Sequence, residues 1–156
     1  MKEVQIRRAA VDDIGGLVES STALFAEDGA TRDRLRNQGW PGMYAAQWCA
    51  DHVADPAALV LVAVAAHDIV GHLIGTFSEA SAMWIAPRAE LVSTLVSSSW
   101  RGQGVGSRLV EDFVAWARER GASRLQVEAY IANDGALRFY RRHGFMPLST
   151  QLVMDL

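Results

Sequence analysis

A chain of 156 residues, half of them hydrophobic, is long enough for one well-buried core and too short for two ordinary domains, so residues 1–156 read as a single domain. The formal net charge is −3 and the fifteen basic residues are scattered, which argues against a nucleic-acid partner held on a broad basic face and toward small-molecule chemistry. The one cysteine, Cys49, excludes an intramolecular disulfide, and Met1 to Ala10, with Lys2, Glu3, Arg7 and Arg8, lacks the apolar core of a signal peptide, so a cytoplasmic setting fits best.

Val4, Ile6 and Arg8 alternate with Gln5, Arg7 and Ala9 as in a short first strand, and Asp12-Asp13 mark a helix start that runs to about Phe25. Glu27 to Gly39 is polar and turn-rich, whereas Tyr44, Ala45, Trp48, Cys49 and His52 recur at helical spacing, so Glu27 to Ala54 reads as a loop and a second helix. The most apolar run, Ala57 to Ala66, is about half the length of a membrane helix and reads as a buried strand, with no membrane partner expected. Ala58 to Ala65 and Ile69 to Phe77 form a predicted hairpin about Ala66-His67-Asp68, and Ser78 to Arg88 a loop carrying Met83 and Trp84.

Glu90 to Val96 is a further predicted strand, followed at once by Arg101-Gly102-Gln103-Gly104-Val105-Gly106. Val105, Leu109, Phe113 and Trp116 then set an apolar helical stripe that ends near Gly121. Leu125, Val127 and Ala129 alternate as in a strand over Ser123 to Tyr130, Asn133 is placed to cap a short helix ending at Gly144, and Phe145 to Leu156 reads as a final extended run. A meander in the middle and βαβ crossovers at the end predict an α/β fold of the α+β kind, a mixed sheet with helices on both faces.

Alternating glycines between a strand and a helix let the backbone turn tightly and converge its N–H groups at the positive end of a helix dipole, which makes a phosphate cradle. Three glycines alone are weak evidence. The turn lacks the Lys-Ser/Thr of a nucleoside-triphosphate loop and does not fit G-x-G-x-x-G, so a dinucleotide site ranks low. His67, His72 and His143 show no metal spacing, and no metal is expected.

Arg101-x-x-Gly104-x-Gly106, together with Asn133-Asp134-Gly135-Ala136-Leu137-Arg138-Phe139-Tyr140-Arg141-Arg142-His143-Gly144-Phe145, resembles the GNAT superfamily of acyl-CoA-dependent N-acetyltransferases. The resemblance covers the chain in element order and is specific from about Glu90 to Phe145. It implies a mostly antiparallel central sheet splayed between the fourth and fifth strands, with acetyl-CoA as acetyl donor lying in that opening. It places the pantetheine arm along Leu95 and Val96, the pyrophosphate on the amides of Arg101, Gly102, Gln103, Gly104, Val105 and Gly106 with the Ser107 hydroxyl, and Asn133, Ala136 and Tyr140 beside the arm. Arg101, Arg141 and Arg142 could meet the terminal phosphates, or could form a solvated charged face.

The same resemblance makes Tyr140 the general acid that protonates the departing thiolate, a role a phenol of pKa about 10 suits beside a thiol of about 8.5. A core tyrosine is the plain alternative. An amine of pKa about 10.4 must also lose a proton before it attacks, and Glu90 on the fourth strand is the candidate base, with Glu27 and Asp28 as alternatives. Two departures stand out: Ser97-Ser98-Ser99 fills a place where many relatives have proline, and Val92 stands where related sequences carry a second acid. Asp28, Trp40, Tyr44 and Trp84 are candidates for an acceptor pocket, because acidic and aromatic groups suit a cationic or ring-bearing amine. Cys49 reads as a small buried residue.

The implied function is acetyl transfer to a primary amine of a small molecule by direct attack in a ternary complex. A non-catalytic acyl-CoA-binding regulatory module and a peptide or protein N-acetyltransferase are the alternatives. The acceptor is not legible in any motif. Relatives often form a homodimer through C-terminal strands, and the residues themselves leave the oligomeric state open.

Overall fold

The computed structural model describes residues 3–156, so Met1 and Lys2 lie outside the described residues. In chain order it contains β1 (Val4–Arg8), a 3-10 turn (Val11–Asp13), α1 (Ile14–Thr31), a π-helical turn (Pro41–Ala45) running into α2 (Ala46–Ala54), β2 (Ala58–Ala65), β3 (Asp68–Ser78), β4 (Arg88–Val96), α3 (Val105–Glu119), β5 (Arg124–Val127) and α4 (Asp134–Arg142). The strands lie in the order β1-β2-β3-β4-β5. The first three interfaces are antiparallel and β4 runs parallel to β5, as a β-α-β crossover through α3 requires.

The period-2 alternation of β2 divides its side chains between two cores. Leu59, Leu61 and Ala63 face α3 and pack, with Leu73, Phe77, Ala89 and Leu91, against Leu109, Phe113, Trp116 and Ala117. Val60 and Val62 point the other way, joining Ile74 of β3, Leu17 of α1 and Cys49 of α2. Helices therefore cover both faces, and Cys49 is a buried free thiol whose pKa burial pushes up. Burying apolar side chains on both faces is what holds the central strands in place. At about 25 cal/mol per Å², each fully buried Leu or Phe contributes on the order of 1.5–3 kcal/mol.

Three elements depart from the sequence expectations. First, α1 continues to Thr31, so Glu27 and Asp28 sit in its last turns and not in a loop. The Thr31 hydroxyl donates to the Glu27 carbonyl and the Arg32 guanidinium pairs with Asp28 one turn back, which together favour a continued helix over the turn that the polar composition predicts. Second, β5 is shorter than Ser123 to Tyr130. Third, Phe145 to Leu156 pairs with no strand: Pro147 lacks an N–H for a ladder, and Met146, Leu148, Leu152, Val153 and Met154 stay exposed, so alternation there finds no face to bury. No helix among the described residues is long and apolar enough to cross a membrane.

Candidate active site

β4 pairs with β3 along its whole length, from Arg88 opposite Ser78 to Val96 opposite Gly71, but with β5 only from Arg88 to Leu91. Beyond Leu91 one edge of β4 is bare. The register explains the divergence: Ile74 faces Ser93 and Gly75 faces Leu91, so Val92 is an extra residue, a bulge that bends the strand away from its neighbour. The Ser97 amide donates to the Val70 carbonyl at 2.9 Å, which fixes the ladder's phase. By antiparallel alternation the backbone groups of Thr94 and Val96 turn toward the opening and those of Leu95 toward β3. Of the pair Leu95 and Val96, only Val96 turns its main-chain groups that way, and its carbonyl already accepts from Arg101, which leaves its amide for a ligand. Leu95 instead buries its side chain, 8% exposed.

Past Val96, a single 3-10 turn over Ser98–Trp100 leads into the glycine turn. Gly102 and Gly104 have φ of 71° and 82°, the left-handed region that a Cβ disfavours, and α3 begins at Val105. The amides from Gly102 through Ser107 have no acceptor among the described residues, backbone or side chain. Such a run at the positive end of a fifteen-residue helix fits an anion of diphosphate size. At Gly106 a Cβ would meet the Phe139 ring at 3.4 Å and Val96 at 3.7 Å, so glycine lets α4, α3 and the end of β4 meet closely. Ser107 is engaged by His143, the C-cap of α4, Oγ to Nε2 at 3.1 Å, a long-range pairing that no local motif signals. Arg101 is not free for a phosphate. Its Nε donates to the Val96 carbonyl at 2.9 Å and its Nη1 pairs with Glu27 at 2.8 Å, tying the turn to α1. Gln103 is likewise folded back onto the Ser99 carbonyl at 3.0 Å, whereas Arg141 and Arg142 are exposed.

Asn133 caps α4, its side-chain oxygen accepting the Ala136 amide at 3.1 Å. One and two turns on, Ala136 is half-buried and Tyr140 is buried against Phe139 and Phe145 at edge-to-face geometry. Burial pushes the Tyr140 phenol up to about 12, so the group stays protonated throughout the neutral range. Its hydroxyl has no hydrogen-bond partner among the described residues and is not sealed from solvent. Tyr140 is thus a core tyrosine whose hydroxyl keeps some access to solvent.

The facing side is made by the end of α1, the segment after it and the residues following β5. Asp28 pairs with Arg32 at 2.9 Å, and the Tyr130 hydroxyl reaches Asp33 at 3.4 Å. Burial is the main cause that raises the Tyr130 pKa; Arg36 opposes it, and Asp33 and Asp28 add to it. Trp40 stacks on Phe25 at 5.2 Å and touches Tyr44 and Trp48, so Trp40, Tyr44 and the end of α1 do come together, Tyr44 being 53% exposed. Trp84 is separate, lying under the Arg88 guanidinium at 3.9 Å. Glu90 is half-buried in the fully paired part of β4, opposite Thr76 on one side and Gln126 on the other, with no ion pair among the described residues. His72 of β3 is buried between the hydroxyls of Ser20 and Ser93, and sequence reasoning missed it. Its signal was a lone polar residue inside an apolar strand. No group of three or more His, Cys, Asp or Glu among the described residues is placed to hold a metal.

A family model described as "Acetyltransferase (GNAT) family" matches residues 24–145. The chain is 30% identical over 146 residues to a mycothiol acetyltransferase of Propionibacterium freudenreichii, which covers 90% of this chain and 42% of that protein. A mutant of the BH1408 protein of Bacillus halodurans superposes with a TM-score of 0.88 at 19% identity, over 97% of this chain and 99% of that one. A transcriptional regulator from Bacillus halodurans superposes with a TM-score of 0.77 at 29% identity, over 99% of this chain and 100% of that one. The chain spans between 24% and 49% of the length of the curated relatives it matches.

Proposed function

Because the chain belongs to the acetyltransferase (GNAT) family, we propose that it moves an acetyl group from acetyl-CoA to a primary amine of a small molecule, by direct attack in a ternary complex. The observation that carries this reading is the run of unaccepted amides from Gly102 to Ser107 set directly beyond the bare edge of β4. The pyrophosphate of the donor would lie on those amides, and its pantetheine arm would add to β4 as a partial strand through Thr94 and Val96, with Asn133 and Ala136 alongside. The bound donor supplies a thioester, an acyl group with a good leaving group. The Val96 amide faces the place where negative charge develops on the acyl oxygen. Tyr140, neutral and with its hydroxyl unspent, donates to sulfur as charge builds there.

The amine would arrive from the side of α1. Asp28, Trp40 and Tyr44 give that side acidic and aromatic character suited to an ammonium, with Asp33 and Tyr130 beside them. Trp84, packed under Arg88, stands apart from that side. Glu90 lies on the α1 face of β4 and supplies negative charge that holds the ammonium before it loses its proton. A cytoplasmic setting goes with this reading, since Cys49 is a buried free thiol.

Thiol release measured with DTNB over a panel of small amines and peptides tests the proposal. Acetyl-CoA-dependent release with a small amine, and none with peptides, is the expected result. Release with peptides alone would move the chain to the protein-modifying alternative. Tight CoA binding by calorimetry with no turnover on any acceptor would favour a regulatory module, a reading to which the 29% likeness to a transcriptional regulator lends some weight.

A further inference from the structure

His72 is the one buried histidine among the described residues, 1% exposed, and both its ring nitrogens are engaged by hydroxyls on other elements. Nδ1 meets Ser20 Oγ of α1 at 2.6 Å and Nε2 meets Ser93 Oγ of β4 at 2.8 Å. Ser20 and Ser93 are each only partly buried. The three residues form a continuous hydrogen-bonded line through the sheet's α1 face, with the ring buried and the serine at each end partly exposed. Ser93 is also the first β4 residue past the bulge at Val92, where pairing with β5 has just ended. A side chain there stands beside the opening on the face from which the amine would come.

Accepting the acetyl-transfer reading, we propose that Ser93, His72 and Ser20 form the route by which the acceptor ammonium loses its first proton to solvent. The N–H bond of R–NH3+ breaks toward Ser93 Oγ as the Ser93 proton passes to His72 Nε2, the Nδ1 proton passes to Ser20 Oγ, and the Ser20 proton goes to water. The ring ends as its other tautomer and remains neutral. Exchange with water at the two serines, while the opening is empty, restores the first tautomer. The second proton lost by nitrogen after attack balances the one Tyr140 gives to the thiolate, so a turnover yields amide, CoA thiol and one proton in solvent. Ser93 touches the substrate and is the catalytic residue of the route; His72 and Ser20 act through it.

The surroundings suit a neutral relay. Burial alone depresses the His72 pKa to about 4, so the imidazole is uncharged at neutral pH and free to pass a proton in either direction. On the elements packed against it, the titratable or charged groups are Glu19, Glu27 and Asp28 of α1 and Arg88 and Glu90 of β4. None hydrogen-bonds to the ring, and β2 carries none at all.

The test is a set of pH–rate profiles for the wild type, Ser93→Ala, Ser93→Thr, Ser20→Ala and Glu90→Gln, with one amine that turns over and saturating acetyl-CoA. Ser93→Ala is expected to lower kcat about 100-fold at pH 7, with the loss shrinking steadily as pH rises and gone at the amine's own pKa, where no relay is needed. Ser93→Thr should restore the rate, Ser20→Ala should show the same pH pattern with a smaller loss, and KM for acetyl-CoA should stay within about twofold throughout. A loss of equal size at every pH in Ser93→Ala would reduce the triad to a structural contact. A pH-dependent loss in Glu90→Gln alone would assign the proton to that carboxylate and overturn the relay. A wild type silent with every amine overturns acetyl transfer itself, and the relay with it.

Discussion

On the wall of the opening made by the end of β4, α3 and α4, the groups presented are main-chain amides, set by two left-handed glycines and an asparagine cap. On the wall made by the end of α1 and the segment after it, the charged side chains are already engaged. Glu27 pairs with Arg101, Asp28 with Arg32 and Arg34 with Asp155; Asp33 meets Tyr130, and Arg36 lies over Phe25. Main-chain donors cannot repack, so the first wall suits a ligand that never changes. The second can exchange one partner for another, so a cationic acceptor would enter by replacing an internal pairing, and its identity depends on side chains that substitution alters freely.

The largest expected effect tests the first wall's chemistry. Tyr140→Phe should lower kcat by about 100-fold or more, within the usual range for a general acid, and leave acetyl-CoA affinity by calorimetry nearly unchanged. An unaltered kcat would return Tyr140 to the core. The same variant has a stability signature. A phenol with folded pKa raised to about 12 contributes stability that is whole below its unfolded pKa near 10 and is lost as pH climbs through 12. Urea unfolding of the wild type should therefore fall off more steeply than that of Tyr140→Phe between those values, by roughly 2–3 kcal/mol in all.

Next in size is the cradle itself. Gly104→Val places a β-branched residue at φ 82°, which costs at least about 1–2 kcal/mol of backbone strain and disturbs the amides on either side. Acetyl-CoA affinity should fall on the order of tenfold to 100-fold while the acceptor KM moves little. An equal loss on both substrates would mean that the walls are not separable.

This division also explains what the sequence disclosed. The cradle and the α4 cap are local: their glycines, Asn133 and the stripe from Val105 to Trp116 lie within a few residues of what they shape, and each appears where the spacing predicts it. The alternation of Glu90 to Val96 predicts a strand, but not the bulge at Val92 that decides which amides face the opening, because one extra residue leaves the apolar pattern readable. Pairings such as Asp33 with Tyr130 or Ser20 with His72 join residues far apart in the chain, and only the tertiary fold brings them together. For the same reason Arg101, by composition a phosphate ligand, is spent on Val96 and Glu27.

The second wall answers to Asp28→Asn. Its side chain is 13% exposed and held by Arg32, so removing its charge should raise KM for a cationic amine about tenfold and leave KM for acetyl-CoA alone. A neutral or anionic acceptor that responds equally would detach the acidic rim from recognition.

The smallest effect lies outside both walls and calibrates them. Ala66, in the β2–β3 turn, holds φ at 57°, which costs an alanine about 1–2 kcal/mol that glycine does not incur. Glycine in turn loses about 0.4–1 kcal/mol through its freer unfolded chain. The balance runs from about zero to about 1.6 kcal/mol in favour of Ala66→Gly, or a rise of at most roughly 3–6 °C in Tm for a domain of this size. Both KM values and kcat should stay at wild-type levels, since the turn touches neither wall. A shift in either KM would show that the sheet carries strain from the hairpin into the opening, and the separate effects expected of Gly104→Val and Asp28→Asn would then have to be read through that coupling.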